Sequence, residues 1–191
     1  HHENEIAQTE SFTRDEPMAR FWVHNGLMRL GEDKMSKSLG NLVSVSDALE
    51  RHSPDALRLF FLSSQYRSPL SYSAESVVAQ ERAAERLRNA ASAAGADRPG
   101  PALDAGPHRD RFVAAMDDDL NAPRAIAVLF DLAHDVNRAA EEGGNTSDAR
   151  ATLTELAGVL GLSLASPATE TEEDFLPLLH LLLDTDAELR S

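Results

Sequence analysis

The stretch Lys34-Met35-Ser36-Lys37-Ser38 contains both lysines of this 191-residue chain, and the other sixteen Lys and Arg side chains are all arginine. A lysine ammonium is a compact charge on a flexible stem, whereas an arginine guanidinium is a rigid planar fork. Charge that moves between phosphate oxygens during a reaction is better followed by a mobile ammonium. The pentapeptide is therefore predicted to carry phosphate chemistry.

The residues around the lysines support this prediction. Gly31 and Gly40 bound the segment, and glycine-bounded backbone can close over a ligand. Two ammonium groups and the hydroxyls of Ser36 and Ser38 can neutralise a triphosphate and stabilise a departing pyrophosphate. Two lysines three residues apart are usually part of a solvated surface loop. The scarcity of lysine elsewhere and the full run as far as Asn41 favour a phosphate-binding loop instead.

The composition predicts a mainly helical protein. Hydrophobic residues make up 42% of the chain, which is sufficient for a packed core, and aromatic residues make up only 5%. Alanine and leucine are abundant, which favours helices over strands. The absence of cysteine indicates a reducing compartment, and cytoplasmic localisation is predicted. No run of eighteen apolar residues occurs, so no membrane span is expected.

The net charge of −14 is unevenly distributed. Residues 1–75 carry 8 basic side chains against 11 acidic ones, and residues 76–191 carry 10 against 21. Such an acidic chain is not expected to bind nucleic acid non-specifically. Any contact with RNA must therefore be local and based on arginine.

The hydrophobic pattern predicts the elements in outline. Residues 19–30 are predicted to form a strand, or two short strands broken near Asn25-Gly26, which is a turn dipeptide. Ser46 is the expected N-cap of a first short helix, and Ser53 with Pro54 opens the next. The helices are predicted to begin near residue 1 and to cover residues 54–62, 74–94, 108–117, 122–141, 147–160 and 174–190. The Gly- and Pro-rich linker over 95–107 separates helices, and 166–174 is predicted to be an acidic loop.

The first residues contain a candidate metal site. His1 and Glu5 are four residues apart, so they share one face of a helix and could supply two ligands to a tetrahedral Zn²⁺. His-x-x-x-Glu pairs more often form surface contacts, and a leading His-His is also typical of a purification tag. The continuation Glu-Asn-Glu-Ile-Ala-Gln disfavours the tag. His2 and Glu3 are alternative ligands, because His2 and Glu5 at i, i+3 could also converge.

Five segments together resemble a known family. The run 34–41 (KMSKSLGN) resembles the KMSKS signature of class I aminoacyl-tRNA synthetases. The resemblance is narrowed to the cysteinyl-tRNA synthetase family by residues 1–8 (HHENEIAQ), 21–26 (FWVHNG), 55–63 (DALRLFFLS) and 112–123 (FVAAMDDDLNAP). It extends over nearly all of residues 1–165.

The resemblance implies a fold and a division of the chain. Residues 1–30 would be the remnant of a Rossmann-like α/β catalytic domain, and 31–75 would hold the KMSKS loop and a region that contacts the tRNA stem. Residues 76–191 would form an all-helical, DALR-type bundle on the anticodon side. The chain is then expected to be a fragment that is inactive alone, because the family's HIGH motif and two zinc-binding cysteines lie upstream.

The resemblance also implies an activity. The family is a ligase of protein biosynthesis that joins L-cysteine to its tRNA through cysteinyl-adenylate, using ATP with Mg²⁺ and one Zn²⁺ per complete chain. Lys34 and Lys37 would be catalytic, and Met35, Ser36 and Ser38 would complete the ATP-binding loop. His1 and Glu5 match the last two zinc ligands, and the complete enzyme would be a monomer. Two alternatives stay open: a cysteine ligase of mycothiol biosynthesis, which uses an amino-sugar acceptor, and a non-catalytic RNA-binding module derived from a synthetase.

Other residues have weaker patterns. Trp22 is expected in the core, and His24 is expected to be satisfied by local contacts although it could face the substrate pocket. Arg58 could contact RNA or form an ion pair with Asp55. The run Asp117–Asp119 resembles a metal site, but a helix end with an N-cap is the favoured interpretation.

Overall fold

The computed structural model describes residues 2–30, 33–34, 44–93 and 99–164, with the backbone alone for Leu30, Asp33 and Lys34. The chain is mainly helical, as predicted. The predicted loop 166–174 and helix 174–190 lie outside these ranges. Within these ranges, no helix is long and apolar enough to cross a bilayer. In chain order the elements are α1 (Glu3–Thr13), β1 (Met28–Leu30), β2 (Asp33–Lys34), α2 (Val45–Leu49), α3 (Pro54–Leu62), β3 (Leu70–Tyr72), α4 (Ala74–Ser92), α5 (Gly106–Asp117), α6 (Ala122–Glu141) and α7 (Ser147–Val159).

Helices α4 to α7 form a bundle around the larger core. Leu129, Leu132 and Val136 of α6 recur at helical spacing and are fully buried with Leu87 of α4 and Leu153 of α7. Burial of each such leucine stabilises the fold by roughly 1.5–3 kcal/mol. The prediction of an all-helical region is confirmed between residues 74 and 159.

Helix α3 belongs to two cores at once. Its Leu59 is part of the larger core. Its Leu57 and Phe60 are buried in a smaller core with Ala48 of α2 and Val77 of α4. Successive residues of a helix point about 100° apart, so one short helix can present apolar side chains to both sides. Helix α3 therefore connects the bundle to the part of the chain that flanks the lysines.

The three strands form one small sheet in the order β2-β1-β3. Strand β1 pairs antiparallel with β2, with Arg29 opposite Lys34, and parallel with β3, with Met28 opposite Leu70. The ring of Tyr72 on β3 lies edge-on to Phe60 at 5.7 Å between centroids, so the sheet packs on the smaller core.

The strand predicted over residues 19–30 is wrong for all but its last three residues. The segment before Met28 has no strand partner among the described residues, and without a ladder partner a β-rich sequence does not become a strand. The predicted break at Asn25-Gly26 is instead a contact with the loop before β3. The Gly26 N–H donates to the Tyr66 carbonyl at 2.7 Å.

Most helix starts and stops agree with the sequence signals. Ser53 and Asn121 accept hydrogen bonds from backbone N–H groups of α3 and α6, and Pro54 is at the first helical position. Gly161 follows α7 at φ +74°, the conformation that favours glycine. Helix α5 begins at Gly106, two residues before the prediction, because the Asp104 carboxylate accepts from the Gly106 N–H.

Candidate functional site

The described residues on either side of the lysine-containing segment belong to the small sheet and to α2. Strand β2 ends at Lys34, and the chain is described again from Ser44, the N-cap of α2. Met28 of β1 and Val45 of α2 line one small cavity of about 70 Å³, so both flanks of the segment contact the same apolar surface. Met35, Ser36, Lys37 and Ser38 lie outside the described residues, as does the side chain of Lys34, and their roles stay predictions. The structure shows where the residues before and after this segment lie.

The N-cap of α2 corrects the sequence prediction of Ser46. The Ser44 hydroxyl accepts from the Asp47 N–H at 3.1 Å, and the Asp47 carboxylate accepts from the Ser44 N–H at 3.3 Å. This reciprocal pair is a capping box, which requires an acid three residues after the serine. Both Ser44 hydrogen bonds lower the pKa of Asp47. Ser46 has no acid at that spacing, so Ser44 was the better choice.

A stacked aromatic cluster lies beside the candidate metal ligands. The rings of His2, Trp22 and His24 are nearly parallel, with centroids 5.7 to 6.3 Å apart. His24 therefore makes local ring contacts, as expected. Trp22 is 44% exposed, so its predicted core position is wrong. The reason is that Trp22 belongs to neither of the two hydrophobic cores that the described residues form.

The metal ligands proposed from the sequence are only partly described. Glu5 is exposed in the first turn of α1, and His1 lies outside the described residues. The structure brings the alternative His2 to Glu5, with Nδ1 and Oε1 3.8 Å apart. Within the described ranges no three His, Asp or Glu side chains form a group that could hold a metal ion, and the chain has no cysteine. These residues fit at most half of a tetrahedral zinc shell.

The Asp55 carboxylate is buried, is hydrogen-bonded to the chain beyond α7, and has no ion pair with Arg58. Asp55 is 2% exposed and accepts from the Ser163 and Leu164 N–H groups at 2.9 and 3.0 Å. The Ser163 hydroxyl donates to the same carboxylate at 3.1 Å. The predicted Asp55–Arg58 ion pair is wrong because these donors satisfy Asp55 inside the fold. Arg58 is exposed and lies beside Gly161.

The aspartate run lies at a helix end, as favoured. Asp117 is the last residue of α5, and Asn121 provides the next N-cap. Asp119 adopts a left-handed conformation at φ 52° and binds Arg67 through two hydrogen bonds of 2.9 and 3.0 Å. The Tyr66 hydroxyl donates to it at 2.8 Å. The Arg67 hydrogen bonds, followed by that of Tyr66, lower the pKa of Asp119 to about 2.

The comparisons with known proteins agree with this arrangement. Residues 1–82 match the model for the catalytic domain of class I (C) tRNA synthetases, and residues 111–165 match the DALR domain. A cysteine–tRNA ligase of Dehalococcoides mccartyi is 48% identical over 193 aligned positions, which cover 100% of this chain and 42% of the relative. One from Methylococcus capsulatus is 46% identical over 91% of this chain and 38% of the relative. The chain belongs to the cysteinyl-tRNA synthetase family. It spans about two fifths of the length of these curated relatives.

A solved structure has a similar fold. In a ternary complex of LeuRS, tRNA and LeuAMS from Agrobacterium radiobacter, the matching region covers 76% of this chain and 22% of that one, with a TM-score of 0.55. The identity of 17% restricts this likeness to the fold.

Proposed function

We propose that this chain carries the ATP-handling loop and the tRNA-side helical bundle of a cysteine–tRNA ligase. The observation that carries the proposal is the lysine segment 34–38, which follows β2 and precedes α2 in sequence, in a chain 48% identical to curated ligases. The domain limits follow the sequence division, with residues 1–30 catalytic, 31–75 carrying the loop and 76–191 facing the tRNA. The reducing compartment inferred from the lack of cysteine makes the cytoplasm the proposed location.

The proposed reaction has two steps. A carboxylate oxygen of cysteine attacks the α-phosphorus of ATP, the bond to the β-phosphate oxygen breaks, and pyrophosphate leaves. A ribose hydroxyl at the 3′ end of the tRNA then attacks the activated carbonyl carbon, and AMP leaves with the bonding electron pair. The second step preserves the energy of the first in an ester bond.

Lys37 is the proposed transition-state contact, and Lys34 orders the loop and shares the charge. Charge grows on the pyrophosphate as it departs, so an ammonium that reaches it only then lowers the barrier without tightening cysteine binding. Ser36 and Ser38 donate hydrogen bonds to the phosphates, Met35 completes the loop, and Mg²⁺ enters with ATP. His1 and Glu5 are proposed as two zinc ligands, with the remaining ligands supplied by residues that this chain does not contain.

The proposal is tested by pyrophosphate exchange on the native gene product. Lys37→Ala should reduce kcat for cysteine-dependent exchange by about 10²–10³-fold, the usual effect of losing one transition-state donor, while cysteine affinity changes little. Arg51→Ala removes an exposed cation just after α2 and is the matched control, with no comparable loss. Equal losses of rate and of cysteine binding in Lys37→Ala would contradict the transition-state role.

The molecule that accepts cysteine distinguishes the proposed ligase from the remaining alternatives. The ligase should transfer cysteine to its tRNA and not to an amino sugar. Transfer to the sugar alone would identify the mycothiol-type ligase instead. A native gene product without cysteine-dependent exchange but with tRNA affinity would identify the non-catalytic module.

A further inference from the structure

A polar cavity lies between α4 and α6, away from the lysine segment. Its volume is about 290 Å³, near the lower end for small-molecule sites, so it has room for one compact group. Helix α4 contributes residues at i and i+3, and α6 contributes residues at i, i+3, i+4 and i+7, so both helices present one face to it. Its lining residues are Arg86, Asn89, Phe130, Ala133, His134 and Asn137.

Arg86 and Phe130 form a stacked pair at the cavity. The guanidinium carbon of Arg86 is 4.8 Å from the centroid of the Phe130 ring, a cation–π distance. The ring is half-buried against the bundle core, so it holds the guanidinium in place. A flat cation supported from below by an aromatic ring offers a platform on which another flat group can stack.

Arg86 also differs from other arginines of the bundle. Arg109, Arg111 and Arg138 each form an ion pair with a carboxylate. Among the described residues, Arg86 has no carboxylate within ion-pair distance. Among these residues the Arg86 charge is therefore available to a ligand at this cavity.

The other polar side chains at the cavity have spare hydrogen-bonding capacity. Within the described ranges, no side-chain hydrogen bond or ion pair involves Asn89, His134 or Asn137. Each asparagine amide offers a donor and an acceptor on one short stem, which matches the edge of a nucleobase. A carboxylate or a simple anion would use the arginine but not the amide acceptors.

We propose that the cavity between α4 and α6 binds one unstacked nucleotide of an RNA, with its base on the Arg86–Phe130 pair and its edge facing Asn89 and Asn137. His134 lies where it can donate to the ribose or phosphate of the same nucleotide. The inference rests on the proposed function, because that function supplies the RNA as cysteine tRNA. The contact is local and arginine-based, which is how a chain of net charge −14 can bind RNA specifically.

The test measures KM for cysteine tRNA in aminoacylation by the native gene product, together with tRNA-independent pyrophosphate exchange. Arg86→Gln and Asn137→Ala should each raise KM for the tRNA about tenfold, the lower part of the range for losing one stacked base. Both should leave exchange within about twofold of wild type. Arg82→Gln removes an exposed cation one turn earlier on the same helix, outside the cavity, and should raise KM no more than about twofold.

Salt dependence separates base recognition from bulk charge. Arg86→Gln should make the slope of log affinity against log salt shallower by about one. Asn137→Ala should weaken binding with the slope unchanged. KM values for both variants equal to that of Arg82→Gln would overturn the inference while leaving the exchange activity intact. A wild-type protein without cysteine-dependent exchange would instead overturn the proposed function.

Discussion

Asp55 and Ser163 are hydrogen-bonded across 108 residues of sequence, with the Ser163 N–H 2.9 Å from the Asp55 carboxylate. Leu164 donates its N–H to the other carboxylate oxygen at 3.0 Å. Asp55 is in the first turn of α3, and Ser163 lies just beyond α7. Asp55, the first residue of the run 55–63, thus links the chain just beyond α7 to α3, the helix that also contacts the smaller core.

Loss of the Asp55 carboxylate should destabilise the protein strongly. Asp55→Ala removes the acceptor of the buried Leu164 N–H and the hydrogen bonds that Asp55 accepts from Ser163, which should lower the free energy of unfolding by about 2–4 kcal/mol. Denaturant unfolding of the native gene product at pH 7 measures this change. Asp148→Ala, an exposed acid in the first turn of α7, is the control and should cost less than about 1 kcal/mol. Similar losses of unfolding free energy in the two variants would show that the hydrogen bonds of Asp55 do not stabilise the fold.

Asp119 should make stability depend on pH in the acid range. Its pKa is lowered to about 2 in the folded chain, against an ordinary value near 3.9 when unfolded. Because the folded pKa is the lower one, the stabilisation is fully present above about pH 4 and is lost as the pH falls towards 2. The stability difference between wild type and Asp119→Asn should therefore shrink over this interval.

Thermal unfolding at a series of pH values measures that difference. Arg67→Gln removes the group that contributes most to the low pKa, so it should abolish most of the same pH dependence. Asp110→Asn changes an exposed carboxyl of α5 that lies outside the Arg67–Asp119 cluster, and it is the matched control. A constant difference between wild type and Asp119→Asn from pH 5 to pH 2 would be inconsistent with the Arg67–Asp119 pair.

Two glycine substitutions should change stability in opposite directions. A Cβ on Gly26 would clash with the Ser68 carbonyl oxygen, so Gly26→Ala must displace one of the two backbone segments and should cost roughly 1–3 kcal/mol. A Cβ on Gly158 in α7 would have no neighbour within 4 Å, and Gly158→Ala should add about 0.5–1 kcal/mol. Chemical denaturation measures both changes. An unchanged free energy of unfolding in Gly26→Ala would mean that the loop before β3 can shift without cost.

Local signals predicted much of the secondary structure. The spacing of Leu129, Leu132 and Val136 identifies the buried face of α6, and Ser53 with Pro54 marks the start of α3. These features depend on residues within a turn or two of each other, so the linear sequence contains the information. The strand predicted over 19–30 failed because pairing depends on distant partners. The apolar pattern points to Ser46, which precedes Leu49, but only Ser44 has an acid three residues later to complete a capping box.

Candidate site residues were predictable to different degrees. The lysine segment stands out by composition alone, since both ammonium groups of the chain lie three residues apart. The cavity at Arg86 and Phe130 has no such signal, because an arginine on α4 and a phenylalanine on α6 look like ordinary helix residues until the helices pack.

The sequence by itself determined the helical content, the main helix starts and the lysine segment, because each depends on neighbouring residues and on composition. Only the tertiary structure decided that Asp55 accepts hydrogen bonds from Ser163 and that Asp119 accepts them from Arg67. It also decided that four polar side chains line one cavity. These pairings join residues about 40 to more than 100 positions apart. Such contacts form only after burial of the apolar helix faces has offset the entropy of closing the intervening chain.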